Sequence, residues 1–190
     1  MNKPIDITNL LLKTDRLTLR PFREADLQDL FAYAKVDGVG QMAGWLPHKS
    51  IEESRAILDM FIREKKTLAL EHQGKVIGSL GIDLYNEADY PEFDSLRGRE
   101  IGYVLAKDYW GQGLMPEAVQ AVIRYLFEVE DLDFLICGHF RRNERSRRVI
   151  EKCGFRYSRT VRFRTEYGTE DLSMEYVLFH PERREDHADT

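Results

Sequence analysis

What this sequence lacks narrows its reading first. No apolar run approaches the roughly 18 residues that cross a bilayer. The amino-terminal stretch MNKPIDITNLLLKTDR holds a three-leucine run but has charge on both sides of it, without the apolar core of a signal peptide. The expectation is a chain with neither membrane span nor leader. Cysteine is scarce. Cys137 and Cys153 stand 16 positions apart, which makes neither a disulfide framework nor a zinc knuckle and points to a reduced, cytoplasmic protein. The five histidines (His48, His72, His139, His180 and His187) include no pair at metal-ligand spacing, so no metal is expected. A long basic tract is missing too. Lys plus Arg number 28 against 33 Asp plus Glu, a net charge of −5, which argues against non-specific nucleic-acid binding. Repeats and low-complexity linkers are absent and the breaks are short. Residues 1–190 therefore read as one domain, with a core over about 14–179 and a charged, frayed tail from Pro181.

What is present is an ordinary globular balance, 43% apolar and 32% charged residues. Leu17 to Pro21 alternates in polarity and ends on proline, a first strand. Residues 23–35 place Leu27, Leu30, Phe31 and Ala34 on one helical face. A glycine-rich loop over 37–45 follows, and Ser50 with Glu53 forms a capping-box pattern opening a helix over about 51–65. Residues 67–72 and 75–84 read as strands joined at Gln73-Gly74, a hairpin signal. After an acidic, irregular stretch over 85–99, Ile101 to Leu105 is the fourth strand. A helix over 116–129, a nearly all-apolar strand over 132–139, a short helix over 143–152 and strands over 155–166 and 170–179 follow. The order is β-α-α-β-β-β-α-β-α-β-β, a mixed α/β (α+β) fold around one sheet.

Two segments carry chemistry. In EIGYVLAKDYWGQGLMPEA, Glu100 to Ala118, a strand runs through a glycine turn into a helix. Successive N–H groups in such a turn, with the positive end of the helix, suit a phosphate or pyrophosphate. A tight β-to-α connection explains the same glycines. Neither a P-loop nor a G-x-G-x-x-G fingerprint is present, because no Gly-Lys-Ser/Thr follows and Pro116 occupies the third glycine's place. The second segment runs from Asn143, a natural N-cap, to Gly154. Ser146, Val149, Ile150 and Cys153 share one face of it, so the Ser146 hydroxyl faces inward. It bonds back to the preceding turn or faces a ligand in a cleft.

Five marks in sequence order resemble the GNAT superfamily of acetyl-CoA-dependent N-acetyltransferases. The branch resembled is the RimJ/RimL type, whose founding members acetylate N-terminal amines of ribosomal proteins. The marks are Thr14-Asp15-Arg16-Leu17-x-Leu19-Arg20-Pro21, Val76-Ile77-Gly78, Glu100-Ile101-Gly102-Tyr103-x-Leu105, Tyr109-Trp110-Gly111-Gln112-Gly113 with Glu117-Ala118, and Asn143-x-x-Ser146 closing on Gly154-Phe155. The superfamily's pyrophosphate motif is Arg/Gln-x-x-Gly-x-Gly/Ala. Trp110 and Met115 stand at its first and last places here, the former usual for this branch.

The resemblance implies a GNAT fold with the fourth and fifth strands splayed around acetyl-CoA. Tyr103, Val104 and Leu105 would offer backbone groups to the pantetheine. Gly111, Gln112, Gly113, Leu114 and Met115, as far as Pro116, would hold the pyrophosphate, and Asn143 would touch the pantetheine arm. A primary amine would attack the thioester directly, so neither cysteine is a nucleophile. Ser146 would assist the leaving thiolate. Two carboxylates stand as candidate base. Glu166, ranked first, matches the glutamate proposed in the RimL type; Glu100 matches the strand-four glutamate of some histone acetyltransferases of the superfamily. The acceptor implied is a protein N-terminus. Alternatives are a small amine such as a polyamine, amino sugar or amino acid, or a non-catalytic acetyl-CoA-binding module. Around this site, Arg141, Arg142, Arg145, Arg147 and Arg148 are either a solvated helix face or an attractor for the CoA 3′-phosphate. Trp45 is a core anchor or part of the substrate wall. The run Glu87, Asp89, Glu92, Asp94 is solvated or favours basic acceptors.

Overall fold

The computed structural model describes residues 2–183; the rest of the charged tail, His187 included, lies outside the described residues. One element joins the expected order. A two-residue strand β1 (Leu12–Lys13) precedes β2 (Thr18–Pro21), α1 (Leu27–Ala34), α2 (Ile51–Glu64), β3 (Thr67–His72), β4 (Lys75–Asp83), β5 (Gly98–Leu105), α3 (Leu114–Glu128), β6 (Phe134–Phe140), α4 (Glu144–Lys152), β7 (Arg156–Arg164) and β8 (Glu170–Phe179). The eight strands form one sheet in the order β1-β2-β3-β4-β5-β6-β8-β7. All pairings are antiparallel except β5 with β6.

Strand alternation divides the sheet's two faces. Leu68, Leu70, Leu80, Ile82 and Ile101 turn toward α3 and α4, while Ala69, Val76 and Val104 turn toward α1 and α2. Helix α3 buries Leu114, Ala118, Val122 and Leu126 along one stripe. Each such leucine or valine contributes roughly 1.5–3 kcal/mol on leaving water. The hairpin between β3 and β4 turns on Gln73 at φ 50° and Gly74 at φ 79°, the two positive φ values a two-residue turn asks for. The capping box is half made. Ser50 accepts the Glu53 N–H, but the Glu53 carboxylate takes the N–H of Lys49 rather than that of Ser50.

Strand β5 starts three residues before its expected first residue, Ile101. Gly98, Arg99 and Glu100 pair in parallel with Phe134, Leu135 and Ile136. Beyond Glu100 the ladder stops: β5 continues beside β4, β6 continues beside β8, and the two diverge. The sheet thus forks at Glu100. Gly98 permits this vertex, because a Cβ there would lie 2.2 Å from the Phe134 ring. Phe134 is fully buried, with Tyr85, Tyr90, Phe93 and Phe179 packed around it. The expected frayed tail begins instead as a short 3-10 turn, Pro181–Arg183, because Arg183 pairs with Asp131 and Asp133. No helix among the described residues is long and apolar enough to cross a membrane.

Candidate functional site

A cavity of about 500 Å³ occupies the fork, within the range of ligand pockets. One half of it is mainly backbone. Gly102, Tyr103, Val104 and Leu105 line it from the β5 edge that faces away from β4 and no longer pairs with β6. Trp110 closes the far end: its indole N–H donates to the Leu105 carbonyl at 2.8 Å, and Arg145 lies over its ring at 4.6 Å. Gly111 and Gly113 sit at φ 77° and 76°, left-handed conformations that glycine adopts without strain. Gly113 is the N-cap of α3, so the turn delivers the positive end of a 15-residue helix to the cavity. Gly111, Gly113, Leu114, Met115 and Pro116 line it; the Gln112 side chain turns outward to the Asp108 carbonyl. Arg145, Arg148 and Lys152 stand at the rim, whereas Arg147 pairs with Glu144 and Glu151 and Arg142 with Asp171.

Helix α4 brings its amino terminus to the same cavity. The Asn143 side chain accepts the Ser146 N–H at 3.2 Å and donates to the Met42 carbonyl at 3.4 Å, so one residue caps α4 and ties the 37–45 loop to it. The Ser146 hydroxyl is not bonded to the preceding turn. It meets the Tyr103 hydroxyl at 2.9 Å. Burial raises the Tyr103 pKa well above its ordinary value. The two hydroxyls form a protonated pair where β5 and α4 approach.

The other half of the cavity is made of side chains. Val39, Met42, Phe140 and Phe163 give an apolar wall, and Glu100 and Glu175 give it charge. Burial, then repulsion from Glu175, Asp83 and Asp89, pushes the Glu100 carboxyl up to about 7. The Glu175 carboxylate accepts the Tyr90 hydroxyl. Glu166 lies elsewhere. It is exposed on the turn joining β7 and β8, its backbone N–H donates to the Gly44 carbonyl at 2.9 Å, and it is not among the cavity-lining residues. Trp45 packs on the α1–α2 cluster and against Gly40 rather than lining the cavity. Of the acidic run, Glu92 pairs with Arg159, Glu87 bonds Asn2 at 2.8 Å and Asp89 bonds Asn86 at 2.8 Å. Both thiols sit with their pKa raised by burial, that of Cys153 to about 11. Among the described residues no group of three or more His, Cys, Asp or Glu could hold a metal ion.

Sequence reasoning thus brings Glu100, Tyr103, Asn143, Ser146 and the glycine turn into one place and leaves Glu166 outside it. Glu175 and the Tyr103 hydroxyl were missed. Glu175 was within reach of the strand period, since Ser173, Glu175 and Val177 share one face of β8 and Ser173 and Glu175 both line the cavity.

Residues 16–156 match the model of the acetyltransferase (GNAT) domain. The Bacillus subtilis protein named as the uncharacterized N-acetyltransferase YoaA is 28% identical over 80% of this chain and 86% of its own. Two solved structures share the fold. The microcin C7 self-immunity acetyltransferase MccE, in complex with acetyl-CoA and AMP, aligns at a TM-score of 0.71 with 18% identity over 88% of this chain and 94% of its own. A ribosomal-protein-S5-alanine acetyltransferase from Vibrio fischeri aligns at 0.67 with 16% identity over 91% and 98%. With its forked sheet, its left-handed glycine turn at the head of α3 and a family match spanning most of its length, this chain belongs to the GNAT family of acetyltransferases.

Proposed function

We propose that this protein transfers the acetyl group of acetyl-CoA to a primary amine, with Glu100 taking the amine's proton. The observation that carries this reading is the position of Glu100. It stands at the vertex of the fork, on the strand face that looks into the charged half of the cavity, with its pKa near 7. A base with that pKa is half ionised at neutral pH, which suits proton transfer. The cofactor's features match the other half. The pyrophosphate would meet the turn N–H groups of 111–115 and the α3 terminus. The adenosine phosphate would meet Arg145, Arg148 or Lys152, and the pantetheine amides the unpaired β5 edge.

The chemistry then divides by side chain. Glu100 removes a proton from the ammonium. The nitrogen forms its bond to the acetyl carbon as the carbon–sulfur bond breaks. Ser146, hydrogen-bonded to Tyr103, donates to the departing sulfur, and the second proton that the nitrogen loses on becoming an amide leaves on that sulfur as the CoA thiol. Glu175, lining the same half of the cavity, would attract the arriving cation.

Of the two acceptor classes, a protein N-terminus is proposed first. The RimJ/RimL-like marks support it, as does the function in the name of the Vibrio fischeri neighbour. A small basic amine is the second reading, favoured by the Glu100 and Glu175 pair. The test is CoA release from acetyl-CoA with a panel of amino-terminal peptides and small amines. Turnover of peptides is expected. Turnover of small amines alone would replace the first acceptor by the second. No turnover of any, with acetyl-CoA still raising the Tm, would leave a binding module and overturn the transferase reading.

A further inference from the structure

The segment Thr14-Asp15-Arg16 lies before β2 and outside the cavity lining, so nothing above gives it work to do. Thr14 closes a local turn with Leu17 and the Arg16 carbonyl meets His72, but the two side chains reach across to Glu117 and the glycine turn. Glu117, in the first turn of α3, would by itself set a negative charge close to the residues proposed to bind pyrophosphate. Its carboxylate is instead covered by Thr14 and Arg16. The Thr14 hydroxyl donates to Oε1 at 2.5 Å, the Arg16 backbone N–H to Oε1 at 2.9 Å and Arg16 Nε to Oε2 at 2.7 Å, while Arg16 Nη2 pairs with Oε2 at 2.6 Å. The remaining arm of the same guanidinium, Nη1, donates to the Gln112 carbonyl at 2.8 Å. Nη2 also lies 3.5 Å from where a Cβ on Gly113 would be.

The Gln112 carbonyl belongs to the same planar trans peptide as the Gly113 N–H, and in such a unit the two point in opposite directions. Holding the carbonyl toward Arg16 therefore holds the N–H away from it, and Gly113 lines the cavity. A flip of this peptide would aim an oxygen where an anion is to be bound. Glycine, having no Cβ, offers little resistance to such a flip.

We propose that Arg16 is a positioning residue for cofactor binding: it locks the Gln112–Gly113 peptide with its N–H toward the pyrophosphate and neutralises Glu117 behind the turn. This rests on the acetyl-CoA reading above, and the experiment separates the two. Dissociation constants are measured for CoA, for dephospho-CoA, which keeps the pyrophosphate and loses the 3′-phosphate, and for pantetheine, which lacks both. Arg16→Ala is expected to weaken CoA and dephospho-CoA each about tenfold, the size of one charge-assisted hydrogen bond. Pantetheine affinity stays unchanged. Arg16→Lys keeps the charge but lacks the fork that reaches Glu117 and Gln112 together, so it restores binding only in part. Glu117→Gln removes the charge that Arg16 offsets and leaves Arg16 on the Gln112 carbonyl, so affinity for CoA and dephospho-CoA holds or rises; Arg16→Ala made in that background strands no carboxylate, shows the same selective loss and serves if Arg16→Ala alone does not fold. Equal weakening of all three ligands would reduce Arg16 to a structural role and overturn the proposal. So would unchanged CoA affinity in Arg16→Ala, alone or with Glu117→Gln, while the wild type prefers CoA to pantetheine. A wild type that binds CoA no better than pantetheine would instead remove the pyrophosphate reading itself.

Discussion

The two halves of the cleft are made of different material. The half assigned to the cofactor presents mostly main chain: an unpaired strand edge, two left-handed glycines and a helix terminus. The half assigned to the acceptor presents side chains, Glu100, Glu175, Met42 and Phe163, brought in by four separate segments. Main-chain recognition needs glycines at fixed places and tolerates most neighbours. Side-chain recognition can change one residue at a time. The first half could therefore keep one ligand while the second changed its acceptor.

That contrast can be broken from either side. The largest effect is expected from Gly113→Pro, which removes an N–H and asks a ring fixed near −65° to sit at φ 76°. Acetyl-CoA at a hundred times its wild-type Kd should stabilise the wild type by about 2.7 kcal/mol and this variant not at all, read as the ligand-induced rise in Tm. Native affinity in a folded variant would show that the turn does not hold the cofactor.

Glu100→Gln attacks the other half. At pH 7 turnover should fall by about 10²–10⁴, with recovery above the acceptor's own pKa, where no base is needed. Glu166→Gln run beside it should retain wild-type rates; the reverse pattern would move the base to the β7–β8 turn.

The same substitution carries a stability signature of opposite sign. Burial lifts the folded Glu100 pKa from 4.5 to about 7, so the folded state keeps a proton that the unfolded chain has already lost. Wild-type stability from this group is full below pH 4.5, falls as pH rises to about 7 and is flat above. The difference between these two pKa values corresponds to on the order of 3 kcal/mol. Glu100→Gln should accordingly gain on the wild type between pH 4.5 and 7 and hold that gain at pH 8, measured from denaturant midpoints. A constant difference across this range would mean that the buried carboxyl titrates normally.

The smallest effect belongs to Ser146→Ala. A thiolate leaving group with a pKa of about 8.5 needs little help. Turnover should fall about tenfold with acetyl-CoA affinity unchanged, because the hydroxyl acts as charge builds on sulfur. A change in Kd without a change in kcat would place Ser146 in ground-state binding.

How much of this was legible beforehand follows the same division. The element order and the glycine turn could be read because periodicity and punctuation are local signals. Ser146 could be placed on an inward face by helix period alone. The fork's vertex could not. Gly98 and Arg99 read as the end of an irregular acidic stretch, and only the distant strand around Phe134 makes them strand. Glu166 stands away from the cavity for a related reason. A pattern match places a residue along the chain, whereas the tight Thr165–Thr169 contact turns that segment outward at the hairpin tip. The acidic run at 87–94 is tied down locally, Asn2, Asn86 and Arg159 bonding three of its four carboxylates, contacts that its charge pattern does not announce.

The fork is also a lever. Its fulcrum is three residue pairs, Gly98 to Glu100 against Phe134 to Ile136. From Glu100 to Leu105 the free arm runs roughly 17 Å at about 3.3 Å per residue. A tilt of about 5° at the fulcrum would shift the mouth by roughly 1.5 Å, more than the misplacement of about 1 Å that can cost an enzyme two orders of magnitude. The aperture between donor and acceptor is thus governed where neither would reach, in the aromatic knot around Phe134. The missing side chain of Gly98, which lets that ring lie flat against the strand, is as much a part of the reacting geometry as the carboxylate two residues on.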